Sequence, residues 1–488
     1  MRPFLFVLLC LFLGAVPRFF AQEAPAAEEP SREAPAAQTP PAETPSAETP
    51  SVEPPSVEPP AAQTPPARSL EEQRLDTIRY GTETEIAVLI RTLKDENAFY
   101  LDDELTVLAA ATGNRSILSG LFTFFGDRAK GGLEERALRA VEDWDDEARE
   151  TVLAAIDYLG KLGVREALGS LKALLETGEA PFKNSVFRAL GRAGKGEGAS
   201  DTAEYLIDYY YDRNPDDENR RDIVSALGEL GSAAAVSFLA ELAGNDEERP
   251  VLRMAALEAL SKIGHHDGLE AVMAALSASD PNVRSQAVAA LGPFSGQEVD
   301  GAILEAFRDS YYRTRAGAAK AAGERKLAEA VPYLRYRAER DEVPAVKDEA
   351  IRALGAIGNP EATAILAELL GNRKNPDRVR LLSAEMLIQN NADDYARRII
   401  AEMDEAQSKH QSALYNGFLR VLGSGRSASL EDLARRLLSS GGVIEKSYAL
   451  DLIANNRYRS LIPQVRELTD EKNGSLSRKA RTILETLE

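Results

Sequence analysis

The chain has 488 residues, 44% of them hydrophobic but only 6% aromatic, and a formal net charge of −20. That length exceeds what one hydrophobic core fills, so a single compact domain is not the default, and a core built from Ala and Leu favours helices over sheet. The charge divides into −5 over residues 1–66 and −15 over the rest, which argues against a nucleic-acid binder, because such proteins carry a basic excess or stripe.

The N-terminus opens with Arg2 and an apolar run from Phe4 to Val16, broken by Pro17 and Arg18. The run is shorter than the roughly 20 apolar residues that span a bilayer, so residues 1–21 read as a secretory signal peptide. Cleavage after Ala21 would remove Cys10, the only cysteine, and leave neither a disulfide nor a thiol nucleophile. A lipoprotein signal at Cys10 wants a small residue ahead of it, and Val7, Leu8 and Leu9 supply none. The expected location is therefore the periplasm or outside the cell, with anchoring at a bacterial envelope wherever the N-terminus stays uncleaved. No transmembrane domain is expected in the mature chain.

Residues 22–68 read as a disordered Pro/Ala/Glu-rich linker. Thirteen of the chain's 25 prolines lie within 23–66, among Ala, Glu, Thr and Ser. Proline withholds its N–H from helices and ladders, and the remaining residues add no core. Stretched at about 3.1 Å per residue, this segment would reach on the order of 140 Å, a length suited to a spacer.

Residues 69–488 carry a repeat. From about residue 140 onward, segments end on an apolar residue before Gly, Ser or Ala: Leu159-Gly160, Leu190-Gly191, Leu227-Gly228, Leu260-Ser261, Leu291-Gly292, Ala322-Gly323 and Leu354-Gly355. The series continues through Leu387, Leu422, Ile453 and Leu484, in steps of 31 to 37 residues. Periods in this range mark stacked supersecondary units. Each unit holds two stretches with helical apolar spacing. In "GLEAVMAALSASDPNVRSQAVAALG" (268–292), Leu269, Val272, Met273 and Leu276 share one face of the first. Val283, Ala287, Val288 and Leu291 share a face of the second, with Asp280 placed to cap it and Pro281 at its first position. Helices this short are marginal alone, so they must stack on their neighbours.

Seven residues before the aligned position stands a base: Lys183, Arg220, Arg253, Arg284, Arg315, Lys347, Arg380 and Lys446. The first and last units, and the one ending at Leu422, lack it. Such a ladder could bind a polyanion. A base at the start of the second helix can instead pair with acids or carbonyls of the adjacent repeat along the inner seam, and we expect this structural role.

The units resemble HEAT repeats, specifically the short bacterial kind related to phycobilisome-lyase HEAT-like repeats. Asp280-Pro281-Asn282-Val283-Arg284 followed by Ala289-Ala290-Leu291-Gly292 carries the resemblance, as do "PAVKDEAIRALGAIGNPEA" (344–362) and "PVLRMAALEALSKIG" (250–264). It extends back to about residue 70 through "EIAVLIRTLKDENAFYLDDELTVLAAATG" (85–113). The resemblance implies an all-α, right-handed α-solenoid of eleven to thirteen two-helix repeats and an extended surface for protein partners.

Some HEAT-like proteins are enzymes. Bilin lyases need a pigment pocket, which nothing local identifies here. Deoxyhypusine hydroxylase holds two irons with repeated His-Glu pairs. This chain has three histidines, His265, His266 and His410, and none precedes a Glu. His265-His266-Asp267 falls in an inter-repeat turn, where a metal would need further ligands converging from elsewhere. The glycine-rich "GRAGKGEG" (191–198) follows a helix and lacks Gly-Lys-Ser/Thr, so it reads as a turn rather than a phosphate loop. The acids around Trp144 in "VEDWDDEARE" lack the spacing and central Gly of a calcium loop.

Tyr205, Tyr209, Tyr210 and Tyr211, with Tyr311 and Tyr312, stand out in an alanine-rich chain. Tyrosines offer flat amphipathic contact area, so these six are the candidate partner surface. Three consecutive residues cannot share one helical face, so some of them must pack. The expectation is a secreted or envelope-associated, non-enzymatic scaffold binding an envelope protein, with no cofactor, no metal and no nucleic acid. A HEAT-like enzyme or accessory lyase with a site in the concave groove remains an alternative. So does a cell-wall or glycan-binding module.

Overall fold

The computed structural model describes residues 68–487. The signal peptide, Cys10 and nearly all of the linker lie outside the described residues. Among the described residues the chain forms twenty-six α-helices and no β-strand. They fall into thirteen consecutive pairs, numbered here as repeats 1 to 13. Repeats 1 to 4 are Leu70–Tyr80 (α1) with Glu83–Glu96 (α2), Asp102–Ala111 (α3) with Arg115–Asp127 (α4), Glu134–Glu142 (α5) with Arg149–Leu162 (α6), and Ala167–Glu176 (α7) with Lys183–Ala193 (α8). Repeats 5 to 8 are Ala199–Arg213 (α9) with Asp217–Leu230 (α10), Val236–Gly244 (α11) with Pro250–Ile263 (α12), Leu269–Ala275 (α13) with Pro281–Ala290 (α14), and Gln297–Ala306 (α15) with Tyr312–Glu324 (α16). Repeats 9 to 11 are Val331–Arg340 (α17) with Pro344–Ile357 (α18), Pro360–Gly371 (α19) with Asp377–Asn390 (α20), and Ala392–Ser408 (α21) with Ser412–Gly423 (α22). Repeats 12 and 13 are Glu431–Ser440 (α23) with Val443–Asn456 (α24), and Ile462–Glu467 (α25) with Gly474–Leu487 (α26).

Local chemistry sets the helix ends. The Asp280 carboxylate accepts from Asn282 N at 2.7 Å and Val283 N at 3.2 Å, with Pro281 at the first helical position. Ser69 with Glu72, and Thr82 with Glu85, form capping boxes that start α1 and α2. Helices α6, α10, α12 and α18 stop on Gly163, Gly231, Gly264 and Gly358, whose φ of 63 to 70° suits glycine.

The repeated Ala-Leu-Gly triplet has a division of labour. Leu190, Leu227, Leu260, Leu291 and Leu354 are buried between the two helical layers. The alanine before the leucine meets a glycine of the preceding repeat at four interfaces, whereas Ser261 takes the glycine's place ahead of Ala290. A Cβ on Gly160 would stand 2.8 Å from Ala189 Cα, and one on Gly228 would stand 2.8 Å from Ala259 Cα. The same approach joins Gly191 to Ala226 and Gly323 to Ala353, each at 2.9 Å. Second helices therefore pack closely on second helices along the chain, while first helices touch one another less. This inequality places the second helices on the inner side of the stack. No helix of the described residues is long and apolar enough to cross a membrane.

Replacing Gly228 with Leu forces a side chain into the Ala259 backbone. The expected cost is about 1–3 kcal/mol at that interface, seen as an earlier urea transition by far-UV circular dichroism. An unchanged transition would show that the inter-repeat contact is not close.

Candidate functional site

The basic ladder lies where the two helical layers meet. Arg284, near the start of α14, donates to the Ala278 and Ser279 carbonyls at 2.9 and 3.1 Å, in the turn after its own repeat's first helix. It also grips Asp309 of the next repeat bidentately, Nε to Oδ2 at 2.7 Å and Nη2 to Oδ1 at 3.0 Å. Arg315 repeats the pattern one unit on, with the Asp309 and Ser310 carbonyls at 3.0 Å and Asp341 at 2.7 and 2.9 Å. Asp309 and Asp341 in turn accept from Tyr311 N and Val343 N, at 2.7 and 3.0 Å. Each rung thus ties two layers of one repeat to the next repeat's helix start.

The other rungs keep part of this arrangement. Arg380 reaches Leu370 O at 3.1 Å and Glu402 of the following repeat at 2.7 Å. Arg253 reaches Ala243 O at 3.0 Å and Asp246 at 2.6 Å, both in its own repeat. Arg220 bonds to Pro215 O at 3.1 Å, Lys347 to Glu339 O at 3.2 Å, and Lys446 approaches Glu471 at 3.5 Å. The carbonyls therefore belong mostly to the same repeat, rather than to the neighbour. Lys183 departs from the series and has no ion pair among the described residues. In the next repeat α9 runs on to Arg213, so Asp208 lies within the helix instead of at its end.

Burial pushes the Asp309 and Asp341 carboxyls up, but the guanidinium and backbone N–H partners outweigh it and hold both below the ordinary range. The Asp341 side chain is fully buried against Arg315 and Arg337. With their cations engaged inside the seam, these rungs present no free basic track.

The six tyrosines do not form a surface row. Tyr209 and Tyr210 are buried, a correction to their expected place on a partner surface. The Tyr209 ring meets Phe187 edge-on at 5.6 Å, and Tyr210 meets Phe238 at 5.0 Å, so both rings fill gaps between repeats. Tyr205 and Tyr311 are half-buried and bridge to the preceding repeat, through Glu176 at 2.8 Å and Asn282 at 2.9 Å. Tyr312 lies edge-on to Tyr311 at 5.3 Å. Of this group Tyr211 alone is well exposed, at 58%. The tyrosines of α9 thus reach α7 through Glu176, α8 through Phe187 and α11 through Phe238.

The inner face carries a second set of inter-repeat pairs. Lys94, Asp127, Lys161, Asp157 and Arg192 form one chain of alternating charge across repeats 1 to 4. Lys195, Glu229, Lys262 and Glu258 form another across repeats 4 to 6. Lys161, then Lys94, lowers the Asp127 pKa, and Lys262 chiefly lowers that of Glu229.

Beside the first chain the second helices of repeats 1 to 3 enclose a groove of about 800 Å³. Its apolar floor includes Ile90, Gly120, Phe124 and Ala154, and its walls carry Ser116, Ser119 and Thr123. Arg91, Asp95, Arg115 and Glu150 also line it, and none of these four makes an ion pair among the described residues. The sequence reading did not single them out. Their helical phase marks them as exposed, but whether an exposed charge finds a partner depends on the neighbouring repeat.

The glycines at 194, 196 and 198 form the turn between α8 and α9. His265, His266 and Asp267 form the turn between α12 and α13.

Paired helices, a glycine–alanine seam and a basic rung in eight of the thirteen repeats together define a HEAT-repeat α-solenoid. A family model described as spirochaete HEAT repeat protein matches residues 78–483, and the chain belongs to that family. Among solved structures it is similar to human deoxyhypusine hydroxylase in complex with glycerol, at 20% identity and a TM-score of 0.24, covering 55% of this chain and 98% of that one. It is also similar to the karyopherin Kap121p bound to the extreme C-terminus of the protein phosphatase Cdc14p, at 11% identity and a TM-score of 0.45, covering 85% and 53%. The same karyopherin bound to the SUMO protease Ulp1p gives 12%, 0.44, 84% and 52%. The match thus spans about half the length of the karyopherin chains. No curated protein matches the chain.

Arg284→Ala should weaken the repeat 7–8 interface by about 3 kcal/mol, because it strands a partly buried carboxylate. Thermal melts check this, and partner capture should not change. A depressed Asp stabilises fully above the ordinary value of about 4, and loses that contribution as pH falls through its lowered native value. Asp309→Asn should therefore melt lower at neutral pH and show a flatter decline between neutrality and about pH 3. Parallel curves for the two proteins would contradict the pairing.

Proposed function

We infer that the protein is a secreted or envelope-associated, non-enzymatic scaffold that holds a protein partner against the inner face of repeats 1 to 3. The groove there carries the reading. It joins an apolar floor to uncommitted charges of both signs, whereas much of the adjoining inner face is laced by ion pairs. A polyanion would be repelled by Asp95 and Glu150. A polypeptide segment bearing both an acid and a base would satisfy all four charges and cover Ile90 and Ala154. Export is supported by the apolar run Phe4 to Val16, and the proline-rich residues 23–66 suit a spacer between envelope and solenoid.

In-cell crosslinking and pull-down with the full chain and with Arg91→Glu/Arg115→Glu tests this reading. Recovery of a defined envelope protein by the intact chain, reduced about tenfold or more in the double variant at an unchanged melting temperature, is the expected result, equivalent to about 1.4 kcal/mol or more. Equal recovery by both proteins would remove the groove as the binding surface. Protease accessibility in spheroplasts checks the location: a fully protected chain would place it inside the cell.

A further inference from the structure

We propose that the turn between repeats 6 and 7 is a metal site, in which His265, His266 and Asp267 bind one borderline divalent transition-metal ion of the Zn²⁺ class. Taken in sequence alone, three adjacent residues at a turn promise little, since neighbouring side chains usually diverge. Here they converge. Gly264, at φ 65°, turns the chain out of α12, and a single 3-10 turn from His266 to Gly268 follows. His266 Nε2 comes within 2.7 Å of Asp267 Oδ1, and His265 Nδ1 within 3.6 Å of Asp267 Oδ2. The two imidazole centroids are 4.6 Å apart, and one ligand atom from each residue lies within 4.8 Å of the other two. In a tetrahedral site with metal–ligand bonds near 2.1 Å, ligand atoms sit about 3.4 Å apart, inside the range these atoms already span.

The donor set selects the ion. Two imidazoles and one carboxylate suit Zn²⁺, Cu²⁺ or Ni²⁺, and are a poor match for Mg²⁺ or Ca²⁺, which take oxygen ligands. The metal replaces the hydrogen bonding that now holds the group together. His266 and Asp267 exchange their mutual contact for metal bonds, and His265 Nδ1 gives up a long 3.4 Å bond from Asp267 N. Little packing opposes this, because His266 and Asp267 are exposed at 85% and 63%. Three protein ligands leave a position open for water or for a donor from another molecule. The chain's net charge of −20 favours the approach of a cation. No other group of three His, Cys, Asp or Glu among the described residues brings its ligand atoms together in this way.

The test is equilibrium dialysis and calorimetry of the untagged full chain with ZnCl₂, with Cu²⁺ as a paramagnetic probe. We expect one ion per chain, two nitrogen donors in the Cu²⁺ spectrum, and weakening as pH is lowered, because protons compete for the imidazoles. His266→Ala should reduce affinity about tenfold or more, since it removes one of three ligands. His410→Ala, in a different repeat, should leave it unchanged. His266 and His410 are both exposed, His410 at a φ of 58°, and thermal melts of each variant confirm that the fold is kept before affinities are compared. Absence of saturable Zn²⁺ binding, equal affinity in the His265→Ala/His266→Ala variant, or equal competition by Mg²⁺ would each overturn the proposal.

Discussion

An alanine seated on the bare Cα of a glycine in the preceding repeat is the contact on which this chain depends. A pair of short helices cannot bury its own apolar stripe, and most helical stability comes from packing. Burial is completed only when the next pair closes over it, and closure needs backbones to approach. Gly160 with Ala189 and Gly228 with Ala259 permit that approach. Because each repeat leans only on its neighbours, cohesion is a sum of interface terms along the stack, not the property of one core.

The polar residues follow the same nearest-neighbour logic at two depths. In the seam, Arg284 and Arg315 bind carbonyls within their own repeat and a carboxylate in the next, so the charges that most resemble a binding track are internal fasteners. On the inner face, the Lys94-to-Arg192 and Lys195-to-Glu258 chains neutralise one another across repeats. Such partly exposed pairs contribute little each, on the order of 0–1 kcal/mol, but they also leave little unbalanced charge for a ligand. The groove proposed to hold a partner lies where that pattern lapses, beside Arg91, Asp95, Arg115 and Glu150, and the turn proposed to hold a metal lies outside both chains.

The first helix of repeat 5, α9, extends to Arg213, and two departures from the regular pattern fall at this repeat. Asp208 lies within this helix rather than after it, and Lys183 of the preceding repeat has no ion pair among the described residues. Tyr209 and Tyr210 of the same helix pack between repeats, leaving Tyr211 as the exposed ring.

Most of the architecture was legible in the linear sequence. Periodic leucines, the Asp-Pro start at 280–281 and the glycine after Leu227 each act through local geometry or through a neighbour about thirty residues away, and short-range rules read such features directly. The register of the ladder from Lys183 to Lys446 was visible for the same reason. What the sequence could not decide was the state of any side chain whose partner lies across an interface. Tyr209 and Tyr211 are of one type and two positions apart, yet one is buried and the other is not. Arg91 and Arg284 are both arginines on second helices, yet only the latter meets an acid. Adjacent histidines looked like an unremarkable turn until the backbone after Gly264 brought their nitrogens to one side. Helical phase fixes the direction in which a residue points; what it meets there is set by the angle and distance of the next repeat, which only the packed structure determines.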